Sequence, residues 1–162
     1  MEWVDAWGHY AGGLERVLHS FKFQRHQFLA PALAELLHET LRERIDEELD
    51  CIVPLPMHRR KERERGFNQA ELLAAQLARS SGLPLRKDLV RKSEARKPQS
   101  TLARAERAAN VRGSFASSDR SRGLSILIVD DICTTGETLN ACAAAMLREG
   151  ARRVCGLVVA RA

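Results

Sequence analysis

Two adjacent carboxylates, Asp130 and Asp131, close an apolar run that begins at Ile126. Thr134, Thr135, Gly136 and Thr138 follow at once. Ionised carboxylates accept hydrogen bonds from neighbouring hydroxyls. Hydroxyls around a glycine, set just ahead of a helix, can offer backbone N–H groups to a phosphate at that helix's positive end. The apolar run would fix the acids and the turn would fix the phosphate. Each part suits the grip on a phosphorylated sugar through its diol and its phosphoryl oxygens.

The second chemical resource is clustered positive charge. The chain has 26 Lys and Arg against 21 Asp and Glu, a net +5. Between residues 58 and 65 stand His58, Arg59, Arg60, Lys61, Arg63 and Arg65, against only Glu62 and Glu64. Nine Lys and Arg fall between residues 86 and 112, against Asp88, Glu94 and Glu106. Such clusters point to a polyanion: pyrophosphate, nucleic acid or both. The four cysteines, Cys51, Cys133, Cys142 and Cys155, form no Cys-x-x-Cys pair, so no zinc is expected. Cys133 reads either as a thiol activated beside a helix N-terminus or as a tolerated loop residue.

These residues need a scaffold. A chain of 162 residues suits one domain, residues 1–162. Within it, residues 1–49 read as a helical N-terminal part and 50–162 as the core. No apolar run approaches the roughly 20 residues of a membrane span, and Met1 to Asp5 lacks the charge and apolar pattern of a signal peptide. A cytoplasmic protein with no membrane partner is expected. Periodicity predicts helices over 13–20, 28–49, 68–80, 102–109 and 136–149. Asn68 with Glu71 reads as a variant capping box, and Gly82 and Gly150 as helix stops. Strands are expected over 50–55, 85–91, 114–116, 125–129 and 154–160, with a basic loop over 57–67 and a mobile loop over 93–101. Ser125 to Val129 is apolar without alternation, as in a strand covered on both faces. Strands alternating with helices predict a mostly parallel sheet, with ligands off the carboxyl ends of its strands.

The stretch from Ile126 to Thr138 resembles the 5-phosphoribosyl-1-pyrophosphate (PRPP) signature of type I phosphoribosyltransferases. It matches at Asp130, Asp131, Thr134, Thr135, Gly136 and Thr138, while Ile132, Cys133 and Glu137 stand where the pattern varies. The wider chain resembles the ComF (competence protein F) and GntX family. The matching pieces are Tyr10, Gly12, Lys22-Phe23, Val53-Pro54-Leu55-Pro56 and His58, the block from Arg65 to Leu73, then Gln99, Leu102, Arg107, Asn110 and Gly113-Ser114-Phe115. Full-length members begin with a four-cysteine zinc segment, and no such segment stands in this chain.

The resemblance implies the type I phosphoribosyltransferase fold: an α/β domain with a mostly parallel twisted sheet flanked by helices and a small N-terminal hood. It implies that Asp130 and Asp131 are the catalytic pair, which holds the ribose hydroxyls and favours positive charge developing on the ring, and that they reach a magnesium ion directly or through water. It assigns Cys133, Thr134, Thr135, Gly136, Glu137 and Thr138 to the 5-phosphate. It assigns Leu55, Pro56, Met57, His58 and Arg59 to the pyrophosphate loop, and Lys92, Lys97, Gln99, Arg104 and Arg107 to a flexible catalytic loop. The expected ligand is PRPP with Mg2+. Further expected partners are single-stranded DNA, proteins of the competence machinery and a second copy of the chain. The leading expectation is a PRPP-binding protein of DNA uptake in natural transformation. An active transferase with a nitrogenous acceptor is the alternative, and a PRPP-sensing regulator comes last.

Overall fold

A computed structural model describes residues 1–23, 26–44, 48–93 and 114–162. Its centre is the strand β5, Ser125–Cys133. β5 pairs in parallel with β2, Cys51–Pro54, on one side, and with β6, Arg153–Arg161, on the other. A further strand, β1, Val4–His9, pairs in parallel with the far side of β6. The sheet order is therefore β1-β6-β5-β2, with Cys51 opposite Ile126 and Asp130 opposite Val158.

Each face of this sheet carries its own core. Ile126 and Ile128 pack with Cys142, Ala143 and Met146 of helix α5, Glu137–Arg148, and with Val90 and Phe115. Leu127 and Val129 pack on the opposite face with side chains of α1, Gly12–Phe23, α2, Ala30–Arg42, and α4, Gln69–Ser81. Leu18, Phe21, Leu37, Leu73 and Leu77 in that second core are fully buried. The period of two along β5 thus feeds both layers, and this is why its sequence shows no polar alternation. Two short strands, β3, Val90–Lys92, and β4, Phe115–Ser117, form an antiparallel pair beside the first core.

Several expectations need correction. β1 was not expected, because Asp5 and Gly8 interrupt its apolar pattern. Tertiary contacts hold it: Arg44 Nε donates to Asp5 at 2.7 Å, the same guanidinium lies 4.8 Å over Trp3, and Trp7 Nε1 donates to Glu39. The helix expected over 28–49 ends at Arg42, and Arg44 instead serves β1. The strand expected over 85–91 starts only at Val90, although Leu85 makes one bridge to Ile52.

The basic stretch over 57–67 is not all loop. Arg59–Arg65 forms a helix, α3. Its Arg, Lys and Glu are good helix formers, and Arg60 pairs with Glu64 one turn on at 2.8 Å. The Nδ1 of His58 accepts the Arg60 N–H at its start, and Gly66 ends it at φ 90°, where a side chain would be strained. The N-terminus of α4 is capped by Asn68, whose Oδ1 accepts the Ala70 N–H. Glu71 pairs with Lys87 at 2.8 Å, on an exposed ion pair rather than a closed capping box. No helix among the described residues is long and apolar enough to cross a membrane.

Candidate functional site

β5 runs four residues past Val129, so Asp130 and Asp131 stand within the strand and not beyond it. Each acid spends one oxygen on the local backbone. Asp130 Oδ1 accepts the Asp131 N–H at 2.9 Å, and Asp131 Oδ1 accepts the Ile132 N–H at 3.0 Å. Asp131 is only 4% exposed. Its Oδ2 lies 3.3 Å from Lys22 Nζ, in the last turn of α1, yet accepts no hydrogen bond. The pair is close in charge and poorly aligned as a bond.

Burial, and then the charge of Asp131, raise the Asp130 pKa well above the ordinary carboxylate range. The Asp131 N–H and Lys22 oppose this only in part. Burial, and then the nearby Lys61, push the Lys92 pKa down, with Asp130 acting the other way. The surroundings of the site only partly balance its charges.

Beyond the acids the chain turns sharply through Thr134, Thr135 and Gly136. Gly136 sits at φ 76° and opens α5 without a side-chain cap, while Thr135 Oγ1 accepts the Glu137 N–H at 3.4 Å. Thr134, Thr135, Glu137 and Thr138 are exposed, and Cys133 is buried beneath them.

A cavity of about 620 Å³ joins these parts. Asp130, Asp131, Thr134 and Thr138 line it from the end of β5 and the turn. Leu55, Pro56, Met57 and His58 line it from the segment after β2, and Lys92 from β3. Cys133, Thr135, Gly136 and Glu137 do not line it, and Arg59 faces a neighbouring groove. Lys97, Gln99, Arg104 and Arg107 lie outside the described residues.

The cavity also gathers residues that were not expected there: Tyr10, Lys22, Phe23, Lys61, Arg65, Asn68 and Gln69. Most of them lie in segments that carry the family resemblance, and the fold shows what the block from Arg65 to Gln69 does. The Arg65 guanidinium lies 5.3 Å from the Phe23 ring centre. Gly66 makes the left-handed turn out of α3. Phe67 is buried, 6.0 Å from Phe21. Asn68 caps α4 and donates from Nδ2 to the Leu55 carbonyl at 3.1 Å, which ties the expected pyrophosphate loop to α4. Gln69 keeps a buried Nε2 with no partner. Lys22, Lys61, Arg65 and Lys92 against two carboxylates give the cleft a cationic excess suited to a multiply charged anion.

The phosphoribosyl transferase domain family matches residues 22–162. The DNA utilization protein YhgH of Salmonella typhi is 36% identical over 149 residues, which are 90% of this chain and 66% of that protein. Competence protein F of Haemophilus influenzae is 31% identical, over 82% of this chain and 61% of that protein. Competence protein ComFC of Bacillus subtilis is also 31% identical, over 85% and 55%. The chain thus spans about two thirds or less of the length of these relatives. Among solved structures, the glutamine PRPP amidotransferase of B. subtilis, complexed with ADP and GMP, shares the fold with a TM-score of 0.57. It is 17% identical, over 82% of this chain and 26% of that one. The architecture is therefore the type I phosphoribosyltransferase fold, with homologues among competence and DNA utilization proteins. With a match that runs from the last turn of α1 to the end of β6, this chain belongs to the phosphoribosyl transferase domain family.

Proposed function

We propose that this chain binds PRPP in the cleft at the end of β5 and serves the uptake or use of DNA in the cytoplasm. The observation that carries the reading is the cleft itself. It brings the acidic pair, the Thr134 and Thr138 hydroxyls, the Pro56–His58 segment and four cations into one space. Asp130 and Asp131 would take the ribose hydroxyls, and the turn up to Thr138 the 5-phosphate. The segment from Leu55 to His58, with Lys61 and Lys92, would take the pyrophosphate. His58 uses Nδ1 as an acceptor for α3, which leaves its proton on Nε2 as a donor.

The same acids fit a magnesium ion that arrives with the ligand. Asp131 Oδ2 is buried without a hydrogen bond, and Asp130 is held in a poor setting for a negative charge. Mg2+ binds oxygen ligands and usually keeps several waters, so one or two carboxylates suffice. Bound there, it would neutralise phosphate charge. The protein's own part is to orient the sugar and exclude water from its C1.

Transfer to a nitrogenous acceptor is the second reading. Phe23, 60% exposed at the cleft that Tyr10 also lines, offers a ring on which a planar acceptor could stack. Its test is pyrophosphate release from magnesium-PRPP across a panel of nucleobases.

The test of PRPP binding is calorimetry with magnesium-PRPP on the wild type and on Asp130→Asn/Asp131→Asn. The double variant is expected to keep its circular dichroism and lose binding. A folded double variant with unchanged affinity would refute the assignment.

A further inference from the structure

A second groove of about 180 Å³ lies against the outer side of the same loop, with Pro56 and Met57 as the shared wall. Its charged lining is Arg59, Lys87, Arg91 and Lys92 against Glu62 and Glu71. Lys87 is already taken by Glu71 at 2.8 Å. Arg59 and Arg91 are exposed, and neither has an ion-pair partner among the described residues. The groove therefore keeps a positive excess on Arg59 and Arg91, and the PRPP-binding cleft described above draws only on Lys92 among its cations.

Its position is specific. α3 sits on the divide between the two spaces. It sends Lys61 and Arg65, one turn apart, to the cleft, and Arg59 and Glu62 to the groove. Lys92 of β3 borders both. Arg59 and Arg91 thus line the groove, Lys61 lines the cleft, and Lys92 borders both. A single small anion needs donors that converge on one point. Cations spread over two adjoining spaces instead match successive phosphates of one strand. Arginine suits this use, because its planar fork meets phosphate oxygens in pairs. Single-strand binders add stacking rings to such a track. Phe23, 60% exposed, stands at the adjoining cleft in contact with Arg65.

We infer that this groove is a second anion site, separate from the sugar site, which seats the phosphodiester backbone of a single-stranded nucleic acid through Arg59 and Arg91. The inference rests on the DNA part of the function proposed above and gives that part a location. Burial, and then Lys61, lower the Lys92 pKa. A phosphate laid across the divide would act the other way and raise it.

The test uses the full chain and a labelled oligothymidylate, followed by fluorescence anisotropy at several salt concentrations. Wild type, Arg91→Ala, Arg59→Ala/Arg91→Ala and Asp130→Asn/Asp131→Asn are compared, with circular dichroism as the check on folding. Loss of two phosphate contacts should flatten the plot of log affinity against log salt by about 1.4, at roughly 0.7 per contact for a single strand. Affinity at low salt should fall at least tenfold. Arg91→Ala alone should weaken the oligonucleotide and leave magnesium-PRPP binding in calorimetry unchanged. The acid variant should lose PRPP and keep the oligonucleotide. Wild-type binding with an unaltered slope in the double arginine variant would overturn the location and leave the DNA reading standing. No wild-type binding at low salt would overturn both. Competition by inorganic phosphate at parity with the oligonucleotide, phosphate for phosphate, would show a simple anion site and refute the strand.

Discussion

Asp130 is destabilising by position, and this makes it the most informative single residue. Its half-buried carboxyl loses hydration and stands beside a second carboxylate, so its folded pKa lies above the unfolded one. The sign of the linkage follows. Between the two values the folded state binds more protons, so stability is present at acid pH and falls as pH rises through the raised pKa. Asp130→Asn is therefore expected to stabilise the ligand-free protein at neutral pH by about 0.5–2 kcal/mol, the usual range for relief of such strain. Thermal melts across pH check this. The gain should shrink toward zero as pH falls below the ordinary carboxylate range, and a variant less stable at every pH would contradict the assignment. Lys22 has the opposite role, since it is the counter-ion of a buried acid. Lys22→Met should cost roughly 1–3 kcal/mol by leaving Asp131 without it. Asp131→Asn in that background should recover most of the loss. A double-mutant cycle with no coupling would show that the pair is incidental.

At the scale of elements, the site depends on how the loop after β2 is tied down. Asn68 does two jobs at once, as N-cap of α4 and as donor to the Leu55 carbonyl. These can be separated by substitution. Asn68→Asp keeps an oxygen for the cap and loses the amide donor. Asn68→Ala loses both. The Ala variant should cost about 0.5–2 kcal/mol in stability, as for other lost caps. The Asp variant should keep most of that stability yet still bind magnesium-PRPP more weakly, because the loop from Leu55 to His58 is no longer anchored. Denaturant melts alongside calorimetry distinguish the two effects. Equal PRPP affinity in wild type and Asn68→Asp would show that the tie does not matter for the site.

At the scale of the molecule, the sheet explains why everything meets at one edge. All four of its strands run parallel, so the carboxyl ends of β2 and β5 open on the same side. α1 and α3 reach that side from different parts of the chain and bring Lys22, Lys61 and Arg65 with them. The central part of this arrangement was legible in the residues. The unbroken apolar run before Asp130 requires a strand buried on both faces, and the hydroxyls and glycine after it require a turn into a helix. Those constraints are local, so sequence alone determined them. The site's other half is not local. Nothing in the spacing from Lys22 to Asp131 says that an ammonium in α1 will stand 3.3 Å from a carboxylate in β5. Nor does spacing show that Arg59, next to His58 in the chain, faces a different groove from it. β1 was hidden for the same reason, since its hold comes from Arg44 and Glu39 and not from its own pattern. Sequence dictated the acidic strand end and its phosphate-type turn, because short-range sterics and burial leave few alternatives there. Tertiary packing alone decided which cations face the acids and which face outward, because that depends on where separate elements meet.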